Sequence, residues 1–523
     1  MRRIASLLAM GVTATLVPGL APAQAAPTPA GAPAAADHLR QKVTWKRCDP
    51  QQTAAWQCAT VKVPLDYAKP TGRKIDVAIS RIKSTKPAKR QGVLLFNPGG
   101  PGGIGLDLPL YLGPMLPKEV REGYDLIGFD PRGVAASTPI TCGLTPEQAA
   151  FPRVYRKETF AKDVAWAEKV AAKCRAKSGA LLPYITTRNT ARDMDVIRAV
   201  LGEKKISYVG YSYGTYLGAV YAQMFPKRAD RFVLDSGVDP KRIWRGMIQV
   251  WAEGAEPAFK RWTEWSARRD AQYHLGATPA AVSKTFWDLV KRADRTPIVI
   301  DGEKVTGEDI RNARPVYFQP KSATEMIVAL KQAADGRQVR MPAALRPATP
   351  ARAAAPAAAP ADNGDAVFLA VICSDTRAWP TDPQQYRKDA VRDKARYPLY
   401  GDFASNIVPC AFWKKGLEPA TPIDNKVGIL TVQNEWDSQT PLTSGIGLHK
   451  SLKGSRMITV DEGEGHGVYL FGNNPCVDAK VNSYLLTGKL PARDLTCKAA
   501  PTPQRAELPG QAPHRFPAVA GRF

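Results

Sequence analysis

Five short apolar runs constrain this chain more than any other feature: "VLLF" (93–96), "YDLIGFD" (124–130), "ISYVG" (206–210), "RFVLDSG" (231–237) and "KVGILTVQN" (426–434). Each is too short for a buried helix and nearly free of polar alternation. Runs of that kind become strands buried on both faces, as in a parallel sheet covered above and below by helices. Helix-spaced segments lie between them, such as "TARDMDVIRAVLG" ahead of "ISYVG". Upstream, "VKVPLDYA" and "KIDVAISRIKS" read as further strands bounded by Pro, Gly and Lys turns. The expected class is therefore α/β, a mostly parallel sheet with helices on both faces.

Between 240 and 341 the strand signals fade. Trp244, Trp251, Trp262, Trp265 and Trp287 appear among helical patterns such as "AVSKTFWDLVKRA". This segment reads as a mainly helical insertion, its tryptophans either packing within it or lining a cleft. It divides the sheet-forming chain into a first part, 44–239, and a second, 364–500. Residues 342–363 are low-complexity Ala, Pro and Arg, the composition of a linker, and 501–523 form a Pro-rich tail.

The amino terminus, "MRRIASLLAMGVTATLVPGLAPAQAA", has two arginines, an interrupted apolar run and an A-x-A site. That is the layout of a signal peptide over 1–25, followed by a disordered leader or pro-segment over 26–43. No later stretch is long and apolar enough to suggest a transmembrane segment. A secreted, extracellular chain is expected, and its eight cysteines fit an oxidising compartment. They fall into local couples: Cys48 with Cys58, Cys142 with Cys174, Cys373 with Cys410 and Cys476 with Cys497. None has the C-x-x-C spacing of a metal site. The formal charge of +25 is spread along the chain without a dense basic run. It suggests loose adhesion to acidic surfaces and not a nucleic-acid partner.

The chemistry is carried by "GYSYG", residues 210–214. It follows a strand and precedes the helix-like "TYLGAVYAQMF", the context a nucleophile elbow requires, with Ser212 at its tip. A serine needs a base, and the chain has five histidines. His38 lies in the leader, His274 in the insertion, His449 within an apparent helix and His514 in the tail. His466, in the glycine-rich loop of "ITVDEGEGHGVY", remains as the base. The acid should leave the preceding strand. Asp437 in "NEWDSQTP" is the choice, with Glu435 in reserve. Backbone N–H groups of Tyr213 and of the loop "LLFNPGGPGGIG" would form an oxyanion hole, with Gly100 assigned as the second donor and Gly99 close behind. The latter loop lacks the Lys-Ser/Thr of a phosphate-binding P-loop. Ser212 at the elbow also argues against an epoxide hydrolase or dehalogenase, which would carry Asp there.

N-P-G-G-P-G-G-I-G, D-P-R-G (130–133), G-Y-S-Y-G, D-S-Q-T-P (437–441) and G-H-G (465–467), in that order, resemble the prolyl aminopeptidase-like α/β-hydrolases. More closely they resemble the secreted tripeptidyl aminopeptidases of actinomycetes. The likeness runs from about Thr44 to Cys497. It departs from the prolyl aminopeptidase pattern at Pro98, where that group usually has His, and in "DPRGVAAS". The resemblance implies an α/β-hydrolase fold with a helical cap over the cleft. It also implies a Ser212–His466–Asp437 triad, oxyanion donors at Gly100 and Tyr213, and peptide substrates with a free N-terminus. The acyl-enzyme mechanism requires no metal or organic cofactor, and a monomer is expected. Counting residues from an N-terminus requires an acid to meet the ammonium, and Glu253, Glu256 and Asp375 are the candidates. A secreted esterase and a binding protein on the same scaffold are the rival readings.

Overall fold

The two most apolar runs become neighbours at the centre of the sheet. Every residue of β4 (Gly92–Asn97) and of β6 (Ile206–Tyr211) is buried. Near the antiparallel end, β2 (Gln57–Pro64) alternates instead, with Ala59, Val61 and Val63 inside and Thr60 and Lys62 outside. The remaining sheet strands are β1 (Lys46–Arg47), β3 (Lys74–Ile82), β5 (Tyr124–Phe129), β7 (Ala229–Asp235), β10 (Ile429–Trp436), β11 (Arg456–Glu464) and β12 (Leu495–Lys498). A separate two-stranded ribbon is formed by β8 (Ile298–Ile300) and β9 (Glu303–Val305). These assignments come from a computed structural model that describes residues 34–342, 345 and 359–500. The signal peptide, residues 26–33 of the leader, most of the 342–363 linker and the tail lie outside the described residues.

The spatial order of the ten-stranded sheet is β1-β2-β3-β5-β4-β6-β7-β10-β11-β12. Pairings as far as β3–β5 are antiparallel and all later ones are parallel. Period-2 alternation sends Val93 and Leu95 to one core, and Leu94 and Phe96 to a second core on the opposite face. Four disulfides, Cys48–Cys58, Cys142–Cys174, Cys373–Cys410 and Cys476–Cys497, link the local couples.

The chain leaves the sheet after Asp235 and rejoins it only at Ile429, in a strand adjacent to the one it left. The excursion is thus longer than the 240–341 segment anticipated. Helices Pro383–Arg396 and Gly401–Ala404 belong with it. Arg245 pairs with Asp389 at 2.7 Å, Leu399 N donates to Glu256 at 2.9 Å, and Arg311 donates to the Leu399 carbonyl at 3.1 Å. Trp262 packs with Phe259, Phe286 and Tyr317 as the core of this cap, whereas Trp244 packs on Tyr213 and Tyr216 of the hydrolase body. The leader expectation also changes at its end. Gln41 exchanges two hydrogen bonds of 2.8 Å with the backbone of Lys62 in β2, so the chain is held to the sheet before Thr44.

Candidate active site

Strand β6 ends at Tyr211 and the helix Tyr213–Met224 begins two residues later, leaving Ser212 alone to turn the chain. It does so at φ 56°, ψ −122°, a region that a residue with a Cβ occupies only under strain. Three hydrogen bonds hold it there. Ser212 N donates to the Asp235 carbonyl at 3.0 Å, and Thr215 donates to the Ser212 carbonyl from its N (2.9 Å) and its Oγ1 (2.6 Å). The loop after β4 packs against this turn. At Gly99, with φ 101°, a Cβ would lie 2.6 Å from the Tyr211 carbonyl and 2.8 Å from Ser212 Cβ. No side chain fits between the two backbones.

Asp437 follows the end of β10 and His466 follows the end of β11, so both arrive at the carboxyl edge of the sheet where Ser212 stands. The His466 Nδ1 lies 2.9 Å from each carboxylate oxygen of Asp437. Asp437 is fully buried and also accepts from Gln439 N at 2.8 Å, Thr440 N at 2.9 Å and Thr440 Oγ1 at 3.0 Å. Burial by itself pushes this carboxyl up, but the imidazole and the donated hydrogen bonds outweigh it, and Asp437 titrates below its ordinary value. For His466 burial works downward and the Asp437 charge upward, and Asp437 wins. With Nδ1–H given to the carboxylate, Nε2 carries the ring lone pair, the form a general base needs.

The other histidines and acids have different occupations. His449 Nδ1 meets Ser455 Oγ at 2.7 Å and its Nε2 meets Asp494 at 3.1 Å. His274 takes a left-handed conformation at the end of a four-residue helix. Glu435 accepts from Glu462 N at 2.8 Å, stitching β10 to β11. In the loop after β4, the Gly99 amide is taken by Asn97 Oδ1 at 3.0 Å. The Gly100 amide has no acceptor of its own among the described residues. The Tyr213 amide opens the helix, and its phenol is fixed by Thr187 Oγ1 at 3.0 Å.

The three acids considered for an ammonium are each partnered within the chain. Glu253 pairs with Arg242 at 2.6 and 2.7 Å, and Glu256 accepts from Leu399 N. Asp375 is buried under Thr187 N (2.7 Å) and Trp244 Nε1 (3.1 Å). Glu253 and Glu256 are also turned away from the acid loop, because on their helix it is Trp251 and Gly254 that touch Gln439 and Pro441.

Two residues not foreseen from sequence complete the surroundings. Asp235, at the end of β7, is bonded both to the Ser212 turn and to the His466 loop. Arg314, buried in the cap, donates to the Ser438 carbonyl and lies over the rings of Trp251 (5.2 Å) and Tyr400 (5.0 Å). A carboxylate ending a buried apolar strand was the available signal for Asp235. Nothing local marked Arg314, whose partners Trp251, Tyr400 and Ser438 all lie in distant parts of the chain.

A β/α sheet of this order, with a serine on a strained strand–helix turn and an Asp–His pair at the same sheet edge, defines a serine hydrolase of the α/β-hydrolase fold. Family models agree: one described as alpha/beta hydrolase fold matches residues 92–295, and one described as TAP-like protein matches residues 397–497. The chain is 38% identical to a tripeptidyl aminopeptidase of Streptomyces lividans, over 90% of this chain and 89% of that protein. It is 31% identical to serine protease Hip1 of Mycobacterium tuberculosis (88% and 91%), and 30% identical to carboxylesterase B of the same organism (94% and 97%). The chain belongs to the tripeptidyl aminopeptidase family of α/β-hydrolases.

Proposed function

We propose that the protein is a secreted serine exopeptidase that releases short peptides, tripeptides foremost, from free N-termini. The observation that carries this reading is the two-oxygen contact of Asp437 with His466 Nδ1, formed at the sheet edge where the Ser212 turn is held. In the mechanism Ser212 Oγ attacks the scissile carbonyl while His466 takes its proton, and Asp437 keeps the imidazole in the right tautomer. The Tyr213 and Gly100 amides receive the developing oxyanion. His466 then protonates the leaving amine, and water repeats the sequence on the acyl-enzyme. Family membership and the likeness to two peptidases favour peptide bonds. Four disulfides support an extracellular setting. Among the described residues no helix is long and apolar enough to cross a membrane.

The likeness to a carboxylesterase keeps one second reading in play, an esterase using the same three residues. A substrate panel separates the two. An exopeptidase cleaves a free tripeptide amide and loses about 10²-fold or more in kcat/KM when its amino group is acetylated, since the site is then left with an unpaired polar group. Equal cleavage of free and acetylated peptides, or cleavage of a short-chain ester alone, would replace the exopeptidase reading with the other.

A further inference from the structure

Asp235 ends β7, the strand lying between β6, which leads to Ser212, and β10, which leads to Asp437. Its backbone and side chain face different loops. The carbonyl accepts from Ser212 N at 3.0 Å. The carboxylate accepts from Val468 N (2.9 and 3.1 Å), from Tyr469 N (2.7 Å) and from Ser236 Oγ (3.0 Å). Ser236 Oγ in turn accepts from Gly467 N at 2.9 Å. The three amides following His466 are therefore anchored, directly or through one hydroxyl, to the residue that fixes the serine turn. Ser236 adopts φ 64° in making this bridge, a second strained non-glycine residue beside the site. The carboxylate is fully buried, and among the described residues no lysine or arginine pairs with it. A buried carboxylate without a cation is costly unless its oxygens are filled by donors, as they are here.

We propose that Asp235 is a positioning residue for hydrolysis: its carboxylate holds the histidine loop in register with the nucleophile turn that its own carbonyl fixes. This rests on the Ser212–His466–Asp437 reading but not on the identity of the substrate. The titratable groups facing Asp235 are His466 and the Tyr211 phenol, which burial keeps neutral. Around His466 itself stand Asp437 and Asp235, which favour its cation, and Arg314, which opposes it. Burial pushes Asp235 up to about 7 against its hydrogen-bond donors, so the charge that orders the loop is complete only above neutrality.

The test is the rate at which a fluorophosphonate labels Ser212, measured from about pH 5 to about pH 9, because it reads the serine–histidine pair whatever the natural substrate. Asp235→Asn puts an NH₂ where an oxygen now meets N–H donors. The plateau rate should fall about tenfold or more, and the acid limb should move to lower pH as His466 loses a neighbouring negative charge. Ser236→Ala keeps the charge but removes a donor to it, which raises the Asp235 pKa. The weaker charge slightly lowers the His466 value, but the loop then orders only where Asp235 ionises; that ionisation governs the limb, which should move the other way, to higher pH. A wild-type plateau in Asp235→Asn, or a lowered plateau with neither limb displaced, overturns the proposal and leaves Asp235 a structural residue. If Asp235→Asn does not fold, Ser236→Ala decides alone, and an unmoved limb rejects the idea. Absence of labelling in the wild-type protein would instead overturn the triad reading on which the proposal stands.

Discussion

At the scale of single residues, the proposed chemistry rests on which carboxylate meets His466. Asp437 does so with both oxygens while its remaining capacity is filled by the D-S-Q-T turn. Glu435, two residues earlier on the strand, faces β11 instead. Asp437→Asn should therefore reduce kcat by about 10³–10⁴-fold, through the wrong imidazole tautomer, with KM little changed. Glu435→Gln should stay within about threefold of wild type, because it keeps an acceptor for Glu462 N and touches no reacting group. Steady-state kinetics of the two variants would show it, and the reverse ranking would move the acid role to Glu435. Ser212→Ala should abolish turnover while the protein stays folded, since alanine keeps every backbone hydrogen bond that holds the turn. Residual activity near the wild-type level would remove Ser212 from the mechanism.

At the scale of elements, the cap and the acid loop are fastened together by the helix Arg245–Ala267. Trp251 Nε1 donates to the Gln439 carbonyl at 2.7 Å, and Arg261 pairs with Glu462 at 3.0 Å and Glu464 at 2.8 Å. Between them Gly254 faces Pro441 so closely that a Cβ would stand 2.5 Å from the proline ring. Helix propensity alone makes a helical Gly→Ala change worth about 1 kcal/mol of added stability. Overlap with a ring carried by the backbone costs about 1–3 kcal/mol, so the collision should win. Gly254→Ala should lower the Tm and, by pushing Pro441, reduce kcat through the Asp437 turn. A variant that melts higher than wild type, with unchanged kcat, would show that the contact is looser than it looks. The glycine could be seen in the sequence, but its neighbour could not.

At the scale of the whole molecule, buried acids set how stability responds to pH. Asp107, Asp130, Asp365 and Asp375 are pushed up to about 6, and Asp235 to about 7, each chiefly by burial. A carboxyl whose folded value is raised contributes stability that is whole below its unfolded value of 3.8 and is lost as pH climbs through the folded one. The raised His466 acts in the same direction at its own range, being whole below 6.5. Asp437, Asp389 and Glu418, held low by cationic partners, work oppositely and fail only as pH drops below the normal range of a carboxyl. His38, lowered by burial, opposes the trend singly. The protein should thus melt at a higher temperature at pH 5 than at pH 8, although a histidine base makes it more active at the higher pH. Calorimetric scans at the two values check this, and a higher Tm at pH 8 would contradict it.

Local chemistry was legible because it is written in short stretches. Apolar runs named the strands, "GYSYG" after one of them named the turn, and elimination among five histidines left His466. Each of those inferences needs only the periodicity of a strand or the geometry of one turn, which a few adjacent residues dictate. The tertiary structure decided what depends on distant neighbours. It put Asp235 between the Ser212 turn and the His466 loop, paired Glu253 with Arg242 and Glu256 with Leu399 N, and joined the helices Pro383–Arg396 and Gly401–Ala404 to the cap. A carboxylate looks the same in sequence whether it waits for a ligand or fills a buried gap. Only the donors that surround it in the fold distinguish the two, and they include groups as distant as Tyr469 N, 234 residues from Asp235.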